Sequence, residues 1–105
     1  MKDKYVWVRI GTKRIEATGN TYPYRDIFRT MGFRWNGTFK RWERTVTTKT
    51  VEEVLRELVK ALVDADAKFI IGIPDPRRIS VPKEIKQIEG VKVRSTGVSI
   101  VITRI

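Results

Sequence analysis

The chain has 105 residues, 41% hydrophobic and 32% charged, with 22 Lys/Arg against 12 Asp/Glu and a net charge of +10. That length predicts a single domain able to bury a modest core without staples. The absence of cysteine and histidine excludes disulfides, thiolate metal sites, the commonest general base and the commonest zinc ligand. No run of about 18 apolar residues predicts a membrane-spanning helix. Met1-Lys2-Asp3-Lys4 leads straight into a strand-like pattern, so no signal or transit peptide is expected and the expected location is cytoplasmic. Many charged residues with few Asn, Gln and Cys lean toward a thermophilic source. The charge suits a polyanionic partner, namely DNA, RNA or an anionic membrane surface, although a basic soluble surface is the plainer reading.

In chain order, Tyr5 to Ile10 reads as a strand, Gly11-Thr12 as a turn and Lys13 to Thr18 as the return strand. A two-residue loop pairs Ile10 with Lys13 and Val8 with Ile15. Alternation then places Val6, Val8, Ile15 and Ala17 on a core face, with Tyr5, Trp7, Arg9, Arg14, Glu16 and Thr18 on the other. Pro23 to Met31 reads as a helix ended by Gly32, its stripe being Tyr24, Ile27, Phe28 and Met31. Phe33 to Val46 reads as a second hairpin around Asn36-Gly37. A two-residue loop there groups Trp35 and Trp42 on one face and Arg34, Phe39, Arg41 and Glu43 on the other; a longer, bulged loop changes those memberships.

Thr50-Val51-Glu52-Glu53 has the form of a capping box. It opens a helix to about Asp64, whose stripe is Val51, Val54, Leu55, Leu58, Val59, Leu62 and Val63. Ala67 to Ile73 reads as a buried-type strand, Pro74 to Ser80 as a loop and Pro82 to Ile88 as a short helix. Val91 to Ser95 and Val98 to Ile105 read as a hairpin around Thr96-Gly97. The predicted class is α+β: an antiparallel sheet of hairpins packed against one long and one or two short helices. The single domain 1–105 divides into an aromatic and basic part (1–46), a core helix (50–64) and C-terminal strands (67–105).

Composition splits along the same line. Residues 1–50 hold nine of the ten aromatic residues and 12 Lys/Arg against 4 Asp/Glu, whereas residues 51–105 hold only Phe69 and 10 against 8. Cations neutralise phosphates and flat rings stack on unpaired bases, so this overlap suits single-stranded nucleic acid. If the two hairpins share a sheet, Tyr5, Trp7, Arg9 and Arg14 lie near Arg34, Phe39 and Arg41. RNA-recognition domains use a sheet face in a similar way, although their signature patterns are absent here. The competing reading covers this face with a helix or a partner subunit and makes the aromatics core.

A second set of residues carries a resemblance. Gly19-Asn20-Thr21-Tyr22-Pro23-Tyr24, then Met31-Gly32-Phe33-Arg34-Trp35-Asn36-Gly37, then Lys40-Arg41-Trp42 resemble the HARP domain of annealing helicases, over about 26 residues. Phe33 stands where that family commonly has a small residue, and no helicase motor accompanies the motif. In size, composition and architecture the chain is also similar to the archaeal ThermoDBP group of small DNA-binding proteins. The resemblances imply single-stranded DNA as partner, a homo-oligomer, and Tyr22, Arg34, Trp35, Arg41 and Trp42 as site residues. For Trp35 and Trp42, core and site readings stay open.

A third pattern, Pro74-Asp75 with Glu84-Ile85-Lys86, mimics a Mg²⁺-dependent nuclease motif. Its spacing is short, and Pro82 places Glu84 in a helix where that motif needs a strand. The sequence is therefore read as a non-enzymatic, largely sequence-independent single-stranded DNA-binding protein with no catalytic residue, metal or cofactor. An RNA-binding module, a self-associating protein using the aromatic face or the strand Val98–Ile105, and the nuclease are the alternatives.

Overall fold

The computed structural model describes residues 4–105, so Met1, Lys2 and Asp3, on which the reading of the N-terminus rests, lie outside it. Seven strands, β1 (Tyr5–Ile10), β2 (Arg14–Gly19), β3 (Arg34–Asn36), β4 (Arg41–Thr45), β5 (Lys68–Ile73), β6 (Lys92–Ser95) and β7 (Ile100–Arg104), form one open sheet in the order β3-β4-β2-β1-β5-β7-β6. Pairing is antiparallel except at the centre, where β1 and β5 run parallel. A parallel pair needs a crossover. Here the chain between them builds the β3–β4 hairpin and the helices α1 (Arg25–Thr30) and α2 (Val51–Asp64). A third helix, α3 (Lys83–Lys86), precedes β6.

The buried side chains of β1, β2, β4, β5 and β7 fall on one face. Val6, Val8, Ile10, Ile15, Ala17, Trp42, Phe69, Ile71, Ile73 and Ile102 form one core with Phe28 of α1 and with Val51, Val54, Leu55, Leu58, Val59 and Leu62 of α2. The helices therefore cover one face of the sheet, and among the described residues the other is open. Among the described residues no helix is long and apolar enough to cross a membrane.

Local chemistry moves several turns from where the sequence puts them. In the first hairpin Ile10 pairs with Ile15 and Val8 with Ala17, and Gly11 N–H donates to the Arg14 carbonyl at 3.0 Å. The turn is therefore Thr12-Lys13 rather than Gly11-Thr12. This shifts the pairing by two residues, and an even shift keeps each side chain on its expected face. In the second hairpin Asn36 pairs with Arg41, leaving Gly37 to Lys40 as a four-residue turn. The Asn36 side-chain oxygen accepts from the N–H groups of Thr38 (3.0 Å) and Phe39 (3.1 Å), and Lys40 takes a left-handed φ of 55°. Asn36 thus stabilises a wider turn by an Asx interaction, and Phe39 leaves the strand for the turn.

The expected helix from Pro23 is divided into a single 3-10 turn at Tyr22–Tyr24 and α1. The capping box does not form. Thr50 Oγ1 instead accepts from Thr47 N–H at 3.0 Å, Val51 N–H donates to the Thr47 carbonyl at 2.9 Å, and Glu53 pairs with Arg56. A preceding turn thereby supplies partners at the start of α2. β5 is also not buried on both sides. Phe69, Ile71 and Ile73 are buried, whereas Ile70 and Gly72 are only partly buried and belong to the open face. The strand at Val98–Ile105 is not an unpaired edge, because β7 lies between β5 and β6.

Candidate nucleic-acid interface

The two hairpins do share the sheet, joined by β2 and β4, where Glu16 pairs with Glu43 and Arg14 with Thr45. Cross-strand register then arranges the open face in rows. One row crosses all seven strands: Arg34, Glu43, Glu16, Arg9, Gly72, Val101 and Arg94. The next holds Thr18, Trp7, Ile70, Thr103 and Lys92, with Asn36 opposite Arg41 on the outer strands. Tyr5 and Lys68 are paired one step further along the same face. At about 4.8 Å between strands, the seven-strand row spans roughly 29 Å.

The centre of this surface is aromatic and aliphatic, and its flanks are cationic. Trp7 is 44% exposed, and Arg9, Arg14 and Arg34 are exposed, while Tyr5 is half-buried. Gly19, at φ +80°, gives Trp7 its place: a Cβ there would lie 2.7 Å from Trp7 Cδ1 and 2.5 Å from the Tyr5 carbonyl oxygen. Only glycine accommodates both that backbone angle and that contact. Gly72 is a different case, since a Cβ there would meet nothing within 4 Å. It leaves a shallow hollow of about 270 Å³ beside Arg9. A second hollow, of about 430 Å³, lies at the first turn between Arg9, Lys13 and Arg14 on one side and Pro74 and Asp75 on the other.

Two carboxylates sit among the arginines. Arg14 Nε is 2.7 Å from Glu16 Oε2, Arg41 reaches the same oxygen at 3.5 Å, and Arg41 Nε also pairs with Glu43. Asn36 Nδ2 donates to Glu43 at 3.3 Å. The hydrogen bond from Arg41 holds the Glu43 carboxyl below the usual carboxylate range, with desolvation acting in the opposite sense. The arginine planes are therefore held in position before any ligand arrives, and Arg14 and Arg41 are partly neutralised. Phe39 is 62% exposed at the hairpin tip, with the Arg41 guanidinium 4.6 Å from its ring centroid. It thus adjoins the open face through Arg41 without being on a strand.

The residues of the HARP-like motif divide between the two faces. Arg34 and Arg41 belong to the open face, while Trp35 and Trp42 face the helices as a cross-strand pair. Trp42 is 7% exposed, stacks on Phe28 at 5.8 Å and meets Trp35 edge-on at 5.5 Å. It is part of the buried core. Trp35 is 50% exposed at the sheet edge. Tyr22, 72% exposed, carries the Arg25 guanidinium 4.1 Å over its ring, and Arg29 lies 5.8 Å over Trp42. This second group of rings and arginines is on the helix side.

Sequence reading missed Ile70, Gly72, Val101, Thr103, Lys68, Lys92 and Arg94 as parts of the open face. The signal was present: within Lys68–Ile73 the polar Lys68 and the small Gly72 have one parity, and Phe69, Ile71 and Ile73 the other. The nuclease-like residues lie apart in bonding. Asp75 pairs with Arg78 at 3.6 Å, and Glu84, on α3, pairs with Arg56 at 3.6 Å. Among the described residues no group of three acidic side chains could hold a metal ion. In comparisons with protein-family models, curated proteins and solved structures, no family model, protein or structure matches this chain.

Proposed function

We propose that the open sheet face binds single-stranded DNA with little sequence preference. The observation that carries the reading is the combination of an uncovered face, Trp7 exposed at its centre, and Arg9, Arg14, Arg34 and Arg41 around it. Burying such arginines against a helix would be costly, whereas phosphates satisfy them. Trp7, Tyr5 and Phe39 supply π-faces, each worth about 1–3 kcal/mol per stacked base, and stacking accepts every base. Glu16 and Glu43 orient the guanidinium groups for planar contact with phosphate or base. A flat array of this kind favours unpaired strands, since the base faces of a duplex are already stacked. The HARP-like motif supports the same reading.

The test is a competition between a labelled single strand and unlabelled single-stranded DNA, duplex DNA and RNA of equal length, followed by gel filtration with and without oligonucleotide. The proposal expects the single strand to compete best and the duplex worst. Equal or better competition by RNA would reassign the face to RNA, which alone offers the 2′-OH. A dimer that dissociates when oligonucleotide binds would place a second copy on this face in the free protein. A dimer with no oligonucleotide binding would make the face a self-association surface and overturn the proposal.

A further inference from the structure

The open face and the C-terminal end of α1 border a common groove. β3 is only three residues long, and Arg34 pairs with Glu43, so β4 continues past the end of its neighbour toward Thr45. A groove of about 920 Å³ lies there. Its walls include Arg14 and Arg34 from the open-face side and Gly32 and Arg44 from the helix side, with Glu43 and Glu57 as its carboxylates. Arg44 Nη1 donates to the Met31 carbonyl at 2.6 Å, which fixes the helix-side wall. From that wall, the outer surface of α1 leads back along the chain from Thr30 through Arg29 to Arg25 and Tyr22.

Resting on the open-face reading, we infer that a longer single strand turns over the sheet edge through this groove and stacks a second time on Trp35 and Tyr22. Three features support single-stranded nucleic acid as the occupant. The groove carries three guanidinium groups against two carboxylates. Trp35 and Tyr22 are at least half exposed at the sheet edge and beside α1. Arg25 lies against one of these rings, and Arg29 lies over Trp42, which underlies the other. Asp26, on the same helix, meets Arg29 at 3.3 Å. The arrangement divides one strand between two stacking stations, the first around Trp7 and the second around Trp35.

Oligothymidylates of about 6 and about 20 nucleotides separate the two stations, since a single OB-fold, a single-strand binder of comparable size, occupies roughly 4–16 nucleotides. Tyr22→Ala, Trp35→Ala and Arg29→Gln are each expected to weaken the long oligonucleotide several-fold and leave the short one within about twofold. Trp7→Ala is expected to weaken both. Trp35 contacts Trp42 and Arg29 lies 5.8 Å over the same ring, so thermal melting is measured alongside for each variant, and Tyr22→Ala and Arg29→Gln, both at exposed positions, remove no buried side chain. If these two bind the long oligonucleotide as tightly as the unaltered protein does, the second station is overturned and the open face stands. If they weaken short and long alike, the division into two stations is overturned. If Trp7→Ala leaves both lengths unaffected, the open-face reading falls and the inference with it.

Discussion

Trp7 and Trp42 belong to the same sheet and meet opposite conditions. Trp42 points at the helices, stacks on Phe28 and is nearly sealed from solvent. Trp7 points the other way, rests against Gly19 and stays almost half exposed among arginines. The two faces differ in the same manner throughout. The helix face is closed by apolar side chains from all three helices, with Arg104 tied to the Ala67 carbonyl at 2.7 Å and to Asp66 at its margin. The open face alternates rings, arginines and two carboxylates. A tryptophan on the first face holds the fold together; on the second it is available to a ligand.

Substitutions can break or sharpen this contrast. The largest effect is expected for Trp42→Ala, which removes a buried ring and should cost about 3–5 kcal/mol of folding stability by denaturant titration. Trp7→Ala should leave stability close to that of the unaltered protein and cost about 1–3 kcal/mol of binding, read with a single-stranded oligonucleotide. If instead Trp7→Ala melts the protein, the open face is structural and the contrast disappears. Gly72→Asp places a carboxylate beside Arg9 in open space, at a backbone position that accepts a side chain. It should weaken binding several-fold with an unchanged thermal midpoint, and unaltered binding would mean that the strand does not pass Arg9.

Salt tests the cationic part of the same surface. With about four phosphates engaged, log K should fall against log[salt] with a slope near −3. The smallest effect is expected for Glu43→Gln, which removes one of the two carboxylate partners of Arg41. Binding should tighten about two- to fivefold at low salt and converge with the unaltered protein at high salt, where surface charges are screened. The carboxyl of Glu43 is held below its ordinary range. Its contribution to stability is therefore present above about pH 4.3, the ordinary glutamate value, and is lost as pH falls through the lowered value in the folded state. The unaltered protein and Glu43→Gln should thus differ in stability at neutral pH and converge in strong acid, as measured by thermal melting.

Much of this arrangement was legible in the sequence because side-chain alternation survives errors in the turns. Moving the first turn to Thr12-Lys13 shifted the partners of Val8 and Ile10 but kept Trp7 and Arg9 on the face assigned to them. The apolar stripe of α2 was legible for a similar reason: its i, i+3, i+4 spacing is repeated over 14 residues and outweighs any one position. What failed depended on single hydrogen bonds or on distant neighbours. Phe39 left its strand because Asn36 accepts two backbone N–H groups. Thr50 did not form its capping box because Thr47 engages its hydroxyl. Alternation within β5 assigns Ile70 its face, but its place beside Trp7 follows from the parallel pairing with β1, between residues more than 60 positions apart. The motif Gly19 to Trp42 was legible as a unit, but its division between two faces followed from the register of β3 against β4.

The most direct test of the central claim uses the tryptophans themselves. In the variant Trp35→Phe the remaining indoles are Trp7 and the buried Trp42, so quenching by an added single strand reports on Trp7. A short oligothymidylate should quench this emission saturably, in step with binding measured independently by anisotropy of the labelled strand. Binding by anisotropy with no change in tryptophan emission would contradict the account, because the strand would then be held away from the open face.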